Sequence, residues 1–370
     1  MIFKCFLFLH VLAHVAFGRM RVCNEESERD MHPVLCSMVD KLIEDPHSVS
    51  LEIHDWAKRH NALVDVDYEE ASIAVERLLR GTGGGGTPVV MAHGMGDSCF
   101  NDGMKGITKH ISTLLGGNYA TCIPTGDSQQ EDTNNGYFLN MDASVEVFAQ
   151  KVRSDPALAN GFQAMGFSQG NNVIRGYIAK HNDPPVKTFI SVNGVNAGEG
   201  AVPYCRPSTR RNLSFPSMCD LLMEQASRAA YTNYAQEHSF QANYWRDPRK
   251  SEFPTYQQYG QLAKWNNEGI GGVNETLKEN WAKTDKFVWV LAKQDGMVWP
   301  KEGEQRGAPD PEDPFNKILP REETPWFKED LFGLRTAEDA GKNMYESFDG
   351  DHLRFSMQDL EGWVEKYFTS

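Results

Sequence analysis

Beyond residue 86 the chain alternates between short apolar runs and segments of helical periodicity. "TPVVMAHGMGD" is an apolar run that stops in a glycine loop, and "YATCIPTG" is a second short run. "ASVEVFAQKV" has helical spacing, and "GFQAMGFSQG" is a strand candidate. "NNVIRGYIAKH" follows at once, with Val173, Ile174, Tyr177 and Ile178 at helical spacing. Strand, helix and strand in succession predict a parallel sheet with helices on its faces, hence an α/β fold. "VKTFISVNGV" and "KFVWVLAKQDGMV" read as further buried strands ending in polar loops. Between them, from about Gly198 to Asp285, lies a polar stretch containing Tyr and Trp, with helical patches such as "CDLLMEQASRAAYTNYAQ". It is expected to form an insertion over the carboxyl edge of the sheet. "NMYESF" is one more short run, and "SMQDLEGWVEKYF" spaces Leu360, Trp363, Val364, Tyr367 and Phe368 as a packed terminal helix.

Upstream the pattern differs. Residues 19–80 are charged and helix-prone, with Ile73, Val75, Leu78 and Leu79 of "SIAVERLLR" on roughly one helical face. The run Gly81 to Gly86 packs nothing and marks a flexible joint. The expected organisation is a signal peptide over 1–18, an extension over 19–86, and a catalytic domain over 87–370. The signal is "MIFKCFLFLHVLAHVAFG": Lys4, an apolar run from Cys5 to Phe17, then Ala16 and Gly18 at a cleavage point. No later stretch is long and apolar enough to cross a bilayer.

Secretion changes how the cysteines read. Cys5 leaves with the signal, and Cys23, Cys36, Cys99, Cys122, Cys205 and Cys219 form an even set suited to an oxidising lumen. They lack the CxxC spacing of a metal site, and neither metal nor cofactor is expected. Fifteen pairings are open, and the short loops put Cys205 with Cys219 and Cys23 with Cys36 first. Asn212-Leu-Ser and Asn274-Glu-Thr are glycosylation sequons of the same compartment. A net charge of -14 on 370 residues disfavours nucleic acid and anionic membrane surfaces as partners. A monomer is expected.

The chemistry gathers around "GFSQG". A serine on a sharp strand-to-helix turn needs neighbours without bulky side chains, and Ser168 sits between a strand and a helix. With 32 glycines in the chain the pentapeptide alone is a weak signal, so its context decides. A serine hydroxyl needs a general base oriented by a third group. In α/β-hydrolases these follow the serine as acid and then histidine, each on a loop after a strand. Asp295 lies just past "FVWVLAK", and His352 lies in "FDGDHL" before the last helix. Asp349 and Asp351 are competing acids, although neighbours in sequence rarely orient an imidazole from behind. For the oxyanion, the backbone amides of Gln169 and of Met95 in "HGMGD" are the candidates, with His93 structural rather than a base.

Together, "VVMAHGMGDS", "AMGFSQG", "FISVNG", "YWRDP", "GIGGVNET", "KFVWVLAKQDGMVWP" and "FDGDHL" resemble the palmitoyl-protein thioesterases, lysosomal enzymes that remove fatty acyl groups from cysteine. The resemblance runs from about Thr87 to the C-terminus. It implies an α/β-hydrolase fold, Ser168 as nucleophile completed by Asp295 and His352, oxyanion amides at Met95 and Gln169, and a palmitate groove under the insertion. S-palmitoylated proteins or peptides and fatty acyl thioesters are the implied partners, and the lysosome or the cell exterior the destination. A Cys205–Cys219 bridge and a glycan at Asn274 are implied too. The chain departs from the family at "DSCF", with one cysteine where two adjacent ones are common, and it lacks the family's other pair. Cys99 is thereby unassigned, with Cys122 as a candidate partner. Residues 19–86 have no counterpart. Alternative readings are an acyl-CoA or lipid-ester hydrolase of the same fold, or a catalytically silent lipid-binding protein.

Overall fold

Strand β1 (Val89–Ala92) is buried at all four positions, and its side chains divide with period two. Val90 and Ala92 enter one apolar cluster, Val89 and Met91 the other. A strand buried on both faces needs helices on both, and the fold supplies them. The computed structural model describes residues 86–205 and 218–369. The expected signal peptide, nearly all of the extension, Cys23, Cys36 and Asn212 lie outside the described residues.

The strands continue as β2 (Ala120–Cys122), β3 (Phe162–Phe167), β4 (Val186–Val192) and β5 (Lys286–Ala292). A small antiparallel pair, β6 (Ala308–Pro309) and β7 (Ile318–Leu319), precedes β8 (Asn343–Phe348). The main sheet has the order β2-β1-β3-β4-β5-β8, and all its pairings are parallel. The chain steps from β1 outward to β2 and then returns to the other side of β1 as β3. Such a reversal opens a crevice beyond the carboxyl ends of the strands, the usual ligand position in open α/β sheets.

Helices α1 (Asp102–Leu114), α2 (Gln129–Phe138), α3 (Met141–Ser154) and α4 (Gly170–Lys180) follow in chain order. The insertion between β4 and β5 holds α5 (Met218–Ala230), α6 (Asn233–His238), α7 (Phe240–Tyr244), α8 (Phe253–Tyr259), α9 (Gln261–Trp265) and α10 (Glu275–Ala282). After β5 come α11 (Pro325–Lys328), α12 (Leu334–Asp339) and α13 (Met357–Phe368). Met104 and Ile111 of α1 pack with Leu360, Trp363 and Val364 of α13 on one face of the sheet. Phe148 of α3, Ile174 and Tyr177 of α4, and Trp245 and Trp265 of the insertion pack on the other. Ser356 and Asp359 start α13 with a reciprocal capping box, which satisfies two backbone N–H groups that the helix cannot.

The six strands of the main sheet, α3, α4, the insertion and α13 agree with the sequence pattern. Helices α1 and α2 do not follow from it: Gly103 and Gly106 interrupt the stripe of α1, and α2 is almost wholly polar. Residues 301–342 also carry no pattern read from the sequence, yet their Trp326 and Phe332 are core residues. The described cysteines form two bridges, Cys205–Cys219 and Cys99–Cys122. Among the described residues no helix is long and apolar enough to cross a membrane.

Candidate active site

Ser168 occupies the first position after β3 with φ of 52°, a left-handed conformation that a residue with a Cβ adopts only under constraint. Two glycines make the turn possible by the space they leave. A Cβ on Gly166 would lie 2.4 Å from Asn171 Oδ1, and one on Gly170 would lie 2.4 Å from both the Ala92 and the His93 carbonyl oxygens. The Ser168 N–H donates to the Val192 carbonyl at 3.0 Å. Asn171 Nδ2 donates to the Ser168 and Val192 carbonyls, each at 2.9 Å. Such backbone strain, about 1–3 kcal/mol, persists only where its surroundings over-determine it.

The expected acid and base converge on this turn. His352 Nε2 lies 2.9 Å from Ser168 Oγ, and His352 Nδ1 lies 2.6 Å from Asp295 Oδ2. A carboxylate accepts, so Nδ1 carries the proton and Nε2 is left to accept from the hydroxyl. The other oxygen of Asp295 accepts the N–H groups of Met297 at 2.7 Å and Val298 at 2.8 Å. Burial alone would push this carboxyl upward. The hydrogen bonds from His352 and from the Val298 N–H outweigh burial and hold it below its ordinary value. The competing acids are occupied elsewhere: Asp351 accepts the Gly296 and His352 N–H groups, and Asp349 accepts from Gln294.

Met95 and Ser168 line the same cavity, and Gln169 follows Ser168 directly. Among the described residues neither the Met95 nor the Gln169 backbone N–H has a hydrogen-bond acceptor. The loop that carries Met95 is shaped by Gly96, at φ of 76°, where a Cβ would strike the Tyr137 hydroxyl at 2.6 Å. It is anchored by a buried ion pair, His93 Nε2 to Asp132 Oδ1 at 3.1 Å. Burial opposes charge on His93, but Asp132 prevails and raises its pKa. Asp132 is itself held far down, burial again being outweighed by His93 and by donors from Ser98 and Cys99. His93 is therefore a strut of the loop. The Cys99–Cys122 bridge ties the same segment to β2.

The cavity measures about 520 Å³ and runs from Ser168 and His352 under the insertion. Its far walls include Ala226, Ala230, Tyr234, Ala242 and Trp245, whose many small side chains leave an apolar trough. Gln241 of the insertion is fastened to the turn, donating to Gln169 Oε1 and to the Gly136 carbonyl, each at 2.9 Å. Two buried carboxyls, Glu199 and Glu304, flank Asp295 and escaped the sequence reading. Burial is the main cause that pushes both well above the ordinary carboxyl range, and the Asp295 charge adds to it. In "NAGEGAV" and "KEGEQRG" both look like surface residues, and no local pattern marks them. Asn274 is exposed and caps α10 by accepting the Thr276 N–H at 3.1 Å.

The sequence profile of the family described as palmitoyl protein thioesterase matches residues 88–352. Palmitoyl-protein thioesterase 1 of Caenorhabditis elegans is 34% identical over 284 residues, 76% of this chain and 91% of its own. Palmitoyl-protein thioesterase 3 of Dictyostelium discoideum is 27% identical over 76% of this chain and 90% of its own. A lysosomal thioesterase of Homo sapiens is 24% identical over 67% of this chain and 76% of its own. A solved pyrethroid hydrolase, 13% identical with a TM-score of 0.37 over 75% of this chain and 97% of its own, superposes too loosely to add to this.

Proposed function

The chain belongs to the palmitoyl protein thioesterase family, and from that premise we propose that it removes long-chain fatty acyl groups from S-acylated cysteine through an acyl-enzyme on Ser168. In this reading His352 Nε2 takes the proton of Ser168 as Oγ attacks the thioester carbonyl. Asp295 holds the imidazole in the required tautomer and stabilises its positive charge. The oxyanion that forms meets the Met95 and Gln169 amides. When the tetrahedral intermediate collapses, the C–S bond breaks and the imidazolium returns its proton to the departing cysteine sulfur. Water, deprotonated by His352, then attacks the acyl-enzyme, Ser168 leaves with the proton, and the fatty acid is freed.

The observation that carries the reading is the hydrogen-bonded line Ser168–His352–Asp295 opening directly into an apolar cavity of about 520 Å³. That volume lies within the range of ligand sites, roughly 300–1,000 Å³. The net charge of -14 opposes the approach of polyanionic acyl-CoA, which favours acylated protein or peptide as substrate. Every group in this scheme comes from one chain, so a monomer suffices. Two disulfides and a relative named as lysosomal support a secretory route ending in the lysosome or outside the cell. Asn274, being exposed, suits a glycan. The catalytic domain is taken as 87–370, in line with a compact unit from Gly84 to Ser370 and a family match that begins at residue 88.

The test is direct. A fluorophosphonate probe should label Ser168, and Ser168→Ala should lose both the label and nearly all turnover of a palmitoyl-cysteine peptide. Palmitoyl-CoA and a matched oxygen ester serve as comparison substrates. Undiminished turnover in Ser168→Ala sinks the assignment.

A further inference from the structure

The scheme above gives no part to Glu304, although it lies fully buried against the triad. It follows β5 in a short 3₁₀ turn (Lys301–Gln305), twelve residues past Ala292 at the end of the strand, in a charged stretch. Its Oε2 accepts two donors, the Ala292 N–H and Asn193 Nδ2, both at 2.9 Å. Its Oε1 receives no donor among the described residues. Yet one oxygen of Glu304, one of Asp295 and a ring nitrogen of His352 all lie within 4.8 Å of one another. The Glu304 and Asp295 carboxyls are thus close neighbours, both buried, and two carboxylates so placed repel and cannot hydrogen-bond unless one is protonated.

We propose that Glu304, held as a neutral carboxylic acid, is a positioning residue: its O–H donates from Oε1 to the Asp295 carboxylate and locks together the loops that carry the acid and the base. The proton belongs on Glu304 because Asp295 already accepts two backbone N–H groups and the imidazole N–H. Those donors favour the charged form of Asp295, while burial favours the neutral form of Glu304. An O–H to carboxylate hydrogen bond is of the strong, charge-assisted kind, and here it also removes a like-charge contact.

Asn193 extends the lock to the base. Its Nδ2 donates to Glu304, and its Oδ1 accepts the N–H of Leu353, the residue after His352, at 3.0 Å. The Glu304 carbonyl holds the same loop, accepting from Asn196 Nδ2 at 2.8 Å. One side chain thereby connects the ends of β4 and β5 with Asp295, and through Asn193 it reaches the loop after β8. The loops after β5 and β8 that carry Asp295 and His352 must agree in position for proton transfer, and Glu304, with Asn193 after β4, is where they are joined.

The proposal rests on the triad reading, and its test separates the two. Glu304→Leu keeps bulk but can neither donate nor accept; Glu304→Gln keeps an acceptor for Ala292 and Asn193 and offers an N–H to Asp295. Turnover of palmitoyl-cysteine peptide by the full chain is measured, with folding checked by circular dichroism. Misplacement of about 1 Å can reduce a rate roughly 10²-fold, so Glu304→Leu should lose about 10- to 100-fold in kcat with KM nearly constant, and Glu304→Gln should recover most of that loss. A folded Glu304→Leu with wild-type kcat overturns the proposal, and so does a Glu304→Gln that is no better than Glu304→Leu. If Glu304→Leu does not fold, Glu304→Gln decides alone, since a loss of tenfold or more there requires an ionised carboxylate. Activity removed by a chelator and restored by a divalent cation puts an ion, not a proton, between the carboxyls and equally overturns it. Fluorophosphonate labelling of Ser168 in the wild type tells which reading has failed: without label the triad falls, whereas label with the wrong variant pattern removes only the role of Glu304.

Discussion

Replacing Glu199 by Gln should stabilise the protein, and the gain should grow with pH. Glu199 lies in the loop after β4 and lines the apolar cavity, with only 7% of its surface exposed. Its Oε1 accepts the Trp299 N–H at 2.9 Å and the Ala201 N–H at 3.3 Å, bonds that a glutamine oxygen can keep. Burial, and after it the Asp295 charge, pushes the folded carboxyl well above its ordinary 4.5, against the pull of those N–H groups. The folded state therefore binds this proton more tightly than the unfolded chain does. The stability it contributes is complete below pH 4.5 and is lost as pH rises toward the folded value. Each pH unit in that window removes about 1.4 kcal/mol, so by pH 7 the loss reaches at most about 3.4 kcal/mol. Glutamine has no proton to lose. Urea unfolding followed by circular dichroism at pH 4.5, 5.5, 6.5 and 7.5 should show the variant and wild type nearly equal at the lowest pH and diverging above it. A difference that stays constant across the series, or that turns against the variant as pH rises, refutes a neutral buried Glu199. The wild type itself should become more stable on acidification over the same range, because Glu304 and His93 are displaced upward as well. Asp132 and Asp295 are displaced downward and act in the opposite sense only below their ordinary 3.8.

Other outcomes follow from the same geometry. Gly170→Ala brings a Cβ to 2.4 Å from two backbone carbonyl oxygens, so it should abolish probe labelling of Ser168 and lower the urea midpoint; normal labelling would show that the turn can open. Lengthening the acyl chain should raise kcat/KM about fourfold per CH₂, from roughly 0.8 kcal/mol of burial each, until the trough is full. Equal rates for short and long acyl thioesters would leave the cavity without its proposed role. A chain starting at Thr87 should keep its activity, since every residue of the scheme lies beyond it; a folded but inactive truncation would assign residues 19–86 a part in the site.

How much of this was legible in the sequence depends on how local the physics is. A nucleophile turn is a local problem: Gly166 and Gly170 stand there because neighbouring backbone leaves no room for a Cβ, and the requirement shows within five residues. Strands buried on both faces must be apolar along their length, so β3, β4 and β5 announced themselves, and with them the loops holding Ser168, Asn193 and Asp295. His352 was found by its order in the chain and its place after β8. Between Asp295, Asp349 and Asp351 the difference lies in space: Asp295 meets His352 Nδ1, Asp351 turns to the Gly296 N–H and Asp349 to Gln294. The Cys99–Cys122 bridge, for which the sequence offered Cys122 only as a candidate partner, forms because β1 and β2 lie side by side. Asp132, Glu199 and Glu304 lay out of reach of any pattern, because a carboxyl in a polar stretch reads as solvated. Whether it is solvated depends on what folds over it, and in this chain that is residues from other strands and the insertion between β4 and β5. Local sequence marked the candidate reactive residues, and tertiary burial decided which carboxyls around them are pushed toward the neutral form, since desolvation is a property of the surroundings and not of the residue.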